Sequence, residues 1–177
     1  MANRQLQQRF EVLLREHQKI VFKVAGVYAR HAEDRRDLAQ EICTQLWRSF
    51  NGYDEQRAKF STWMYRIALN VAISQARRER GSLSTRIESL DEHHLETIGG
   101  DEGMVEQDER LVALYAFIAE LDVLNRALIL LYLEDRSYVE IADILGISET
   151  NVATKINRIK QKLRGQMTAA PNRTARA

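Results

Sequence analysis

At 177 residues, with 45% hydrophobic and 29% charged residues, the composition is that of an ordinary soluble chain with room for one large core or two small ones. No run approaches the roughly 20 apolar residues of a membrane span, and MANRQLQQRF lacks the apolar stretch of a signal peptide, so the cytoplasm is the expected compartment. A single cysteine excludes an internal disulfide, and Cys43, between Ile42 and Thr44 on an amphipathic stretch, reads as a buried structural thiol.

From the N-terminus, Leu6, Phe10, Leu13 and Leu14 share one helical face, and Val21, Val24, Ala25 and Tyr28 share another after His17. Both are packing stripes. A third helix is predicted from about Ala32, burying Leu38, Ile42, Leu46, Trp47 and Phe50. It leaves Asp37, Gln40, Glu41 and Thr44 on the other side, a polar face open to solvent or to a docking partner. Asn51-Gly52 and the charged run after it predict a loop, with Ser61 or Thr62 capping a long helix.

Six of the thirteen aromatic residues fall between Trp47 and Tyr65, interleaved with Arg57, Lys59 and Arg66. Aromatic faces beside cations suit unstacked bases, while Trp47, Phe50 and Trp63 are expected in the core. Arg77, Arg78 and Arg80 close the long helix, where they complement its dipole or hold phosphates.

The net charge of +1 hides a division along the chain. Residues 1–80 hold fifteen Lys/Arg against nine Asp/Glu, residues 81–109 one against nine, and residues 110–177 ten against seven. The acidic stretch also carries four of the eight glycines and shows no helical stripe, so it reads as a flexible linker.

Beyond it, Leu111, Leu114, Tyr115, Ile118 and Leu121 form a stripe, and RALILLYL, apolar almost all round, predicts the central buried helix of a small bundle. Ser137 and Glu140 stand at capping-box spacing. Tyr138, Ile141, Ala142 and Leu145 then line one face, and Gly146 is suited to end that helix in the left-handed conformation. Ser148 caps a second helix whose buried stripe is Val152, Ile156, Ile159 and Leu163. Its outward face holds Thr150, Thr154, Asn157, Arg158 and Gln161, flanked by Lys155, Lys160 and Lys162.

This is a helix-turn-helix pattern. An amphipathic pair of helices on any soluble domain also shows one polar face, but amide, hydroxyl and guanidinium groups with little carboxylate are those that read bases and hold phosphates. Glu149 suits the helix dipole or accepts from a cytosine amino group.

The only proline is Pro171, and no segment alternates apolar and polar residues, so the fold class is all-α. The expected organisation is two small helical domains, 1–80 and 110–167, joined by an acidic linker at 81–109 and followed by a disordered tail at 168–177. No phosphate-binding glycine loop, nucleophile elbow or ligand-spaced Cys/His set appears, and His93-His94 reads as solvated. No catalytic residue, metal or cofactor is therefore expected.

Together AEDRRDLAQEI, FSTWMYRIALNVA with its trailing arginines, and RALILLYLEDRSYVEIADILGIS with the basic helix after it resemble a bacterial sigma factor of the compact extracytoplasmic-function type, in the sigma-70 family. The resemblance covers roughly residues 8–80 and 110–165. It implies a region 2 bundle and a region 4 helix-turn-helix bundle that bring core RNA polymerase to promoters and help open DNA. Asp37, Gln40 and Glu41 match the helix that docks on the clamp coiled coil of the largest polymerase subunit. The loop 51–60 and the helix start, with Arg57, Lys59, Phe60, Ser61, Trp63, Arg66 and Asn70, match the part that melts and reads the -10 element, with Arg77 and Arg78 trailing. Ser148, Glu149, Thr150, Asn151, Thr154, Lys155, Asn157 and Arg158 match the reader of the -35 element. Similar proteins are often held by an anti-sigma factor.

The acidic spacer matches one that occupies the positively lined RNA path of the polymerase, a role its charge suits. One departure is Leu121-Asp122 where such chains often have Leu-Pro. The competing readings are a stand-alone helix-turn-helix regulator acting as a symmetric dimer, against which the Asp37-Gln40-Glu41 face argues, and an adaptor or enzyme without a recognisable site.

Overall fold

The computed structural model describes residues 2–83 and 109–169. Among these the regular elements are eight α-helices and one 3-10 turn, with no strand. They fall into two compact units that divide between Tyr115 and Ala116. Spacer positions 84–108, with His93-His94, and tail positions 170–177, with Pro171, lie outside the described residues.

The first unit holds α1 (Ala2–His17), α2 (Lys19–Tyr28), α3 (Ala32–Ser49) and α4 (Phe60–Leu83). Helices α2, α3 and α4 pack on one another. Val24, Ile42, Leu46, Met64 and Ala68 are fully buried between them. Burying each large aliphatic side chain is worth about 1.5–3 kcal/mol, so this three-way contact is what the unit rests on. Helix α1 lies over that core: Phe10 is buried, while Leu6, Leu13 and Leu14 are only half-buried. Glu33 and Asp34 occupy the first turn of α3, where the helix dipole favours negative charge.

Two expectations for this unit are corrected. Trp47 is 39% exposed. The buried stripe of α3 runs Leu38, Ile42 and Leu46 in steps of four, and Trp47 lies about 100° off it, so its ring rests on the rim against Phe10 at 5.2 Å. Helix α4 starts at Phe60, with the Lys59 carbonyl accepting from Trp63 N at 3.1 Å. Lys59 therefore holds the cap position, and Ser61 and Thr62 lie inside the first turn, Thr62 buried at 7%. Packing of the buried Phe60 ring, which hydroxyl preference does not reveal, sets the start. The helix then continues past Arg80 to Leu83.

The second unit is built from the end of α5 (Glu109–Glu120), then α6 (Val123–Leu133), α7 (Tyr138–Leu145) and α8 (Glu149–Ala169). As the apolar run predicts, Ala127, Leu128 and Leu131 of α6 are fully buried. Phe117, absent from the predicted α5 stripe, is buried beside Ile118 and Leu121, while Leu114 and Tyr115 are half-buried. The side chain of Leu111 lies outside the described residues. At the Leu121-Asp122 departure the Asp122 carboxylate accepts from Asn125 N at 2.9 Å, so it caps α6. Asp135, at φ 56°, turns the chain out of α6. On α7 the buried residues are Ile141 and Ile144, whereas Ala142, Leu145 and Tyr138 are half-buried. This short helix lies against both α6 and α8, and that double contact rotates its buried face from the one periodicity suggests.

Candidate nucleic-acid interface

The exposed side of α4 is one continuous strip. Lys59, Trp63, Arg66, Asn70, Ser74 and Arg77 follow one another in steps of four, three, four, four and three, which keeps them on one helical face. Phe60, Met64, Ala68, Leu69 and Ala72 are buried on the opposite side. Lys59, Asn70, Ser74 and Arg77 are exposed; Trp63 and Arg66 are half-buried. At about 1.5 Å per residue the strip is about 27 Å long. Cations, an amide and an indole in such a row suit an extended single strand with unstacked bases.

Below the start of the strip lies an aromatic cluster. Phe50 packs against Phe10 at 5.1 Å, Tyr53 at 6.0 Å, Trp63 at 6.1 Å and Phe60 at 6.3 Å. Phe60 is 5% exposed and meets the His17 ring edge-on at 5.3 Å. Its ring is thus a support for the neighbouring Trp63 at 5.3 Å, not an open stacking face. Phe60, matched by the resemblance to the -10 reader, is thus buried in this structure. Ser61 is half-buried beside it.

The loop between the 3-10 turn (Phe50–Gly52) and α4 is closed on itself. Asp54 Oδ1 accepts from Gln56 N at 2.9 Å, the Asp54 carbonyl accepts from Arg57 N at 3.1 Å, and the Tyr53 hydroxyl donates to the Ala58 carbonyl at 3.2 Å. Burial, and then the nearby negative charge of Glu55, push the Tyr53 phenol up, so it stays protonated as that donor. Arg57 is exposed and pairs loosely with Asp54 at 3.4 Å.

On α3 the side chains of Asp37, Gln40 and Glu41 are all exposed. Glu41 accepts from the Gln45 amide at 2.9 Å, and the Thr44 hydroxyl bonds back to the Gln40 carbonyl at 2.9 Å. A shallow groove separates this face from α4, with Glu41, Gln45, Ser49, Ile67, Asn70 and Arg78 among its lining residues. Residues expected to serve two partners, Glu41 on one side and Asn70 and Arg78 on the other, therefore share one groove. Gln45 and Ser49 were missed from sequence, although spacings of four from Glu41 put them on its face. Cys43 is half-buried and burial pushes its thiol up, which suits an inert packing role.

In the second unit α7 is held by a complete capping box. Ser137 Oγ accepts from Glu140 N at 3.2 Å and the Glu140 carboxylate accepts from Ser137 N at 3.0 Å. That backbone donor above all, with the Ser137 hydroxyl and Arg136 adding to it, holds the Glu140 carboxyl below the usual range. Gly146, at φ 66°, ends α7, and a Cβ there would meet no atom within 4 Å, so backbone conformation alone requires glycine. Ser148 Oγ accepts from Asn151 N at 3.2 Å and starts α8.

Val152 and Ile156 are fully buried, Ile159 nearly so, and Leu163 half-buried. The opposite face presents Thr150, Thr154, Asn157, Arg158 and Gln161, all exposed, with Glu149 and Asn151 exposed at the first turn. Lys155 is half-buried on the flank, and the Lys160 ammonium lies 4.2 Å from the Tyr132 ring centroid. A helix capped at its start by Ser148, with amide, hydroxyl and guanidinium groups outward, has the dimensions and chemistry for a major groove.

Comparison with known proteins follows this division. The family model for Sigma-70 region 2 matches residues 13–82, and that for Sigma-70, region 4 matches residues 111–163. An ECF RNA polymerase sigma factor, SigE of Mycolicibacterium smegmatis, is 31% identical over 173 residues, covering 95% of this chain and 65% of that protein. The chain thus spans slightly less than two thirds of that relative. SigW of Bacillus subtilis is 28% identical, with 77% of each chain covered. The ECF sigma-E factor of Escherichia coli is 29% identical over 89% of this chain and 85% of its own. Two solved structures share the fold: CnrH in complex with the cytosolic domain of CnrY, at TM-score 0.65 and 21% identity, and RpoE in complex with the anti-sigma factor NepR from Bartonella quintana, at TM-score 0.63 and 17% identity. The first match covers 93% of this chain and 90% of CnrH, the second 93% and 97%.

Proposed function

The chain is a sigma factor of the extracytoplasmic-function type, in the sigma-70 family, and from that premise we propose that it directs core RNA polymerase to promoters through three surfaces. The exposed Asp37, Gln40 and Glu41 of α3 dock on the clamp coiled coil of the polymerase. The strip on α4, with Arg57 and Lys59 leading into it and Arg78 beside it, takes the opened strand of the -10 element. The outward face of α8, with Ser148 to Asn151 at its start and Lys155 on its flank, reads the -35 duplex. The acidic spacer then serves the RNA path as a mimic of nucleic-acid charge. The work belongs in the cytoplasm; among the described residues no helix is long and apolar enough to cross a membrane.

The observation that carries this reading is the pairing, in one chain, of an aromatic-cationic strip suited to unstacked bases with a capped helix suited to duplex DNA. A duplex-binding regulator needs only the second. The sigma factor contributes specificity and leaves nucleotide addition to the core enzyme. NepR is named as an anti-sigma factor in its complex with RpoE, and we extend that type of partner to this chain.

Run-off transcription with core polymerase tests the proposal. Promoter-dependent transcripts appear only when the chain is added. Absence of transcripts from every promoter offered, together with symmetric dimer binding to duplex DNA, would return the chain to a stand-alone regulator.

A further inference from the structure

We propose that Arg9, on α1 and outside the matched region 2 segment, is a positioning residue for promoter opening: its ion pair with Glu55 aims the loop that leads into the α4 strip. This rests on the reading of that loop and strip as the -10 surface.

Arg9 Nη2 lies 2.7 Å from Glu55 Oε2, and its guanidinium carbon sits 6.0 Å from the centroid of the Phe50 ring. Phe10, the next residue on α1, packs on the same Phe50 ring at 5.1 Å. One turn of α1 therefore grips the base of the loop through an apolar contact and its middle through a charged one. The loop is closed by its own hydrogen bonds from Tyr53 to Ala58, so it moves as a small body rather than as separate residues. Its last member, Lys59, is both the cap of α4 and the first cation of the strip. Tilting the loop about Glu55 displaces Arg57 and Lys59 together.

The pair is open to water, with side chains 50% and 72% exposed, so by itself it contributes little to folding. That separates the two roles. A contact kept for stability at this exposure would be nearly silent on removal, whereas one that aims a reading loop shows in the step the loop performs.

The experiment uses holoenzyme assembled from core polymerase and the full chain. The rate of strand opening is followed by a fluorescent base analogue in the -10 element, with melting midpoint and core affinity measured in parallel. Arg9→Glu should slow opening roughly fivefold, the upper range for an exposed pair, with midpoint and core affinity unchanged. Arg9→Lys should keep most of the rate. The double exchange Arg9→Glu with Glu55→Arg should restore it, which a direct contact of Arg9 with DNA would not allow, because a carboxylate would then face phosphate.

Lys59→Ala separates this inference from the reading beneath it. If Lys59→Ala slows opening and Arg9→Glu does not, or the double exchange gives no recovery, the positioning role is wrong and the -10 assignment stands. A melting midpoint that falls in step with the rate would make Arg9 a structural residue and also overturn the role. If neither single variant slows opening, the -10 assignment fails and the inference fails with it.

Discussion

Two side chains show how far a single residue can be held to account. Glu140 has its carboxyl lowered chiefly by the Ser137 backbone N–H, so its contribution is complete above the ordinary glutamate pKa of about 4.3 and is lost as pH falls through the lower folded value. Thermal unfolding between pH 7 and pH 3 should therefore lose part of its acid sensitivity in Glu140→Gln, which keeps an acceptor but no titrating charge. An identical pH dependence in the two proteins would remove the capping box from that account. Arg158 is exposed on the outward face of α8. Arg158→Ala should weaken -35 duplex binding by about 1–3 kcal/mol if it reads a base, or lower the salt slope by about one if it holds a phosphate; a salt-series titration distinguishes the two. The capping box, Gly146 and the α8 face were legible because each depends on neighbours within four residues. Phe60 and Trp47 were not, since the burial of either ring is decided by His17 and Phe10 on another helix.

At the scale of the helix, α3 buries one side and leaves the proposed docking face exposed. Ile42 is fully buried, and its neighbour Glu41 is exposed with only the Gln45 amide as its described hydrogen-bond partner. Glu41→Lys should leave the melting midpoint unchanged and weaken core polymerase binding at least roughly tenfold, because reversing a rim charge replaces attraction with repulsion. Equal core affinity in a binding titration would take this face out of the docking surface. Helix existence and type came from apolar periodicity, and the eight helices among the described residues were within reach of it. Their ends and exact faces were less so. The first turn of α4 is placed by Phe60, and α7 turns Ile144 inward because it touches two helices at once, which no one-dimensional period encodes.

For the molecule as a whole, the charge division and the two units bear on what the chain can do without the proposed polymerase partner. The α4 strip is matched to unstacked bases, but in a closed promoter those bases are stacked and paired, and releasing them costs a few kcal/mol. On that reading the free chain gains no base stacking from that surface on duplex DNA and is left with α8 for its sequence-specific contacts. One recognition helix offers few base contacts, and phosphate contacts made by a handful of cations fade with salt. Residues 81–109, with nine acidic side chains against one basic, add repulsion toward the same duplex. On the proposed reading core polymerase changes each term: it supplies further contacts to DNA, favours the opened strand proposed for the strip, and offers the acidic segment a positive surface. Titrating a full promoter fragment at fixed salt should thus show weak, steeply salt-dependent binding by the isolated chain and specific binding by the holoenzyme. Tight, sequence-specific binding by the isolated chain would mean that α8 alone suffices, and the division of labour between the two units would have to be abandoned.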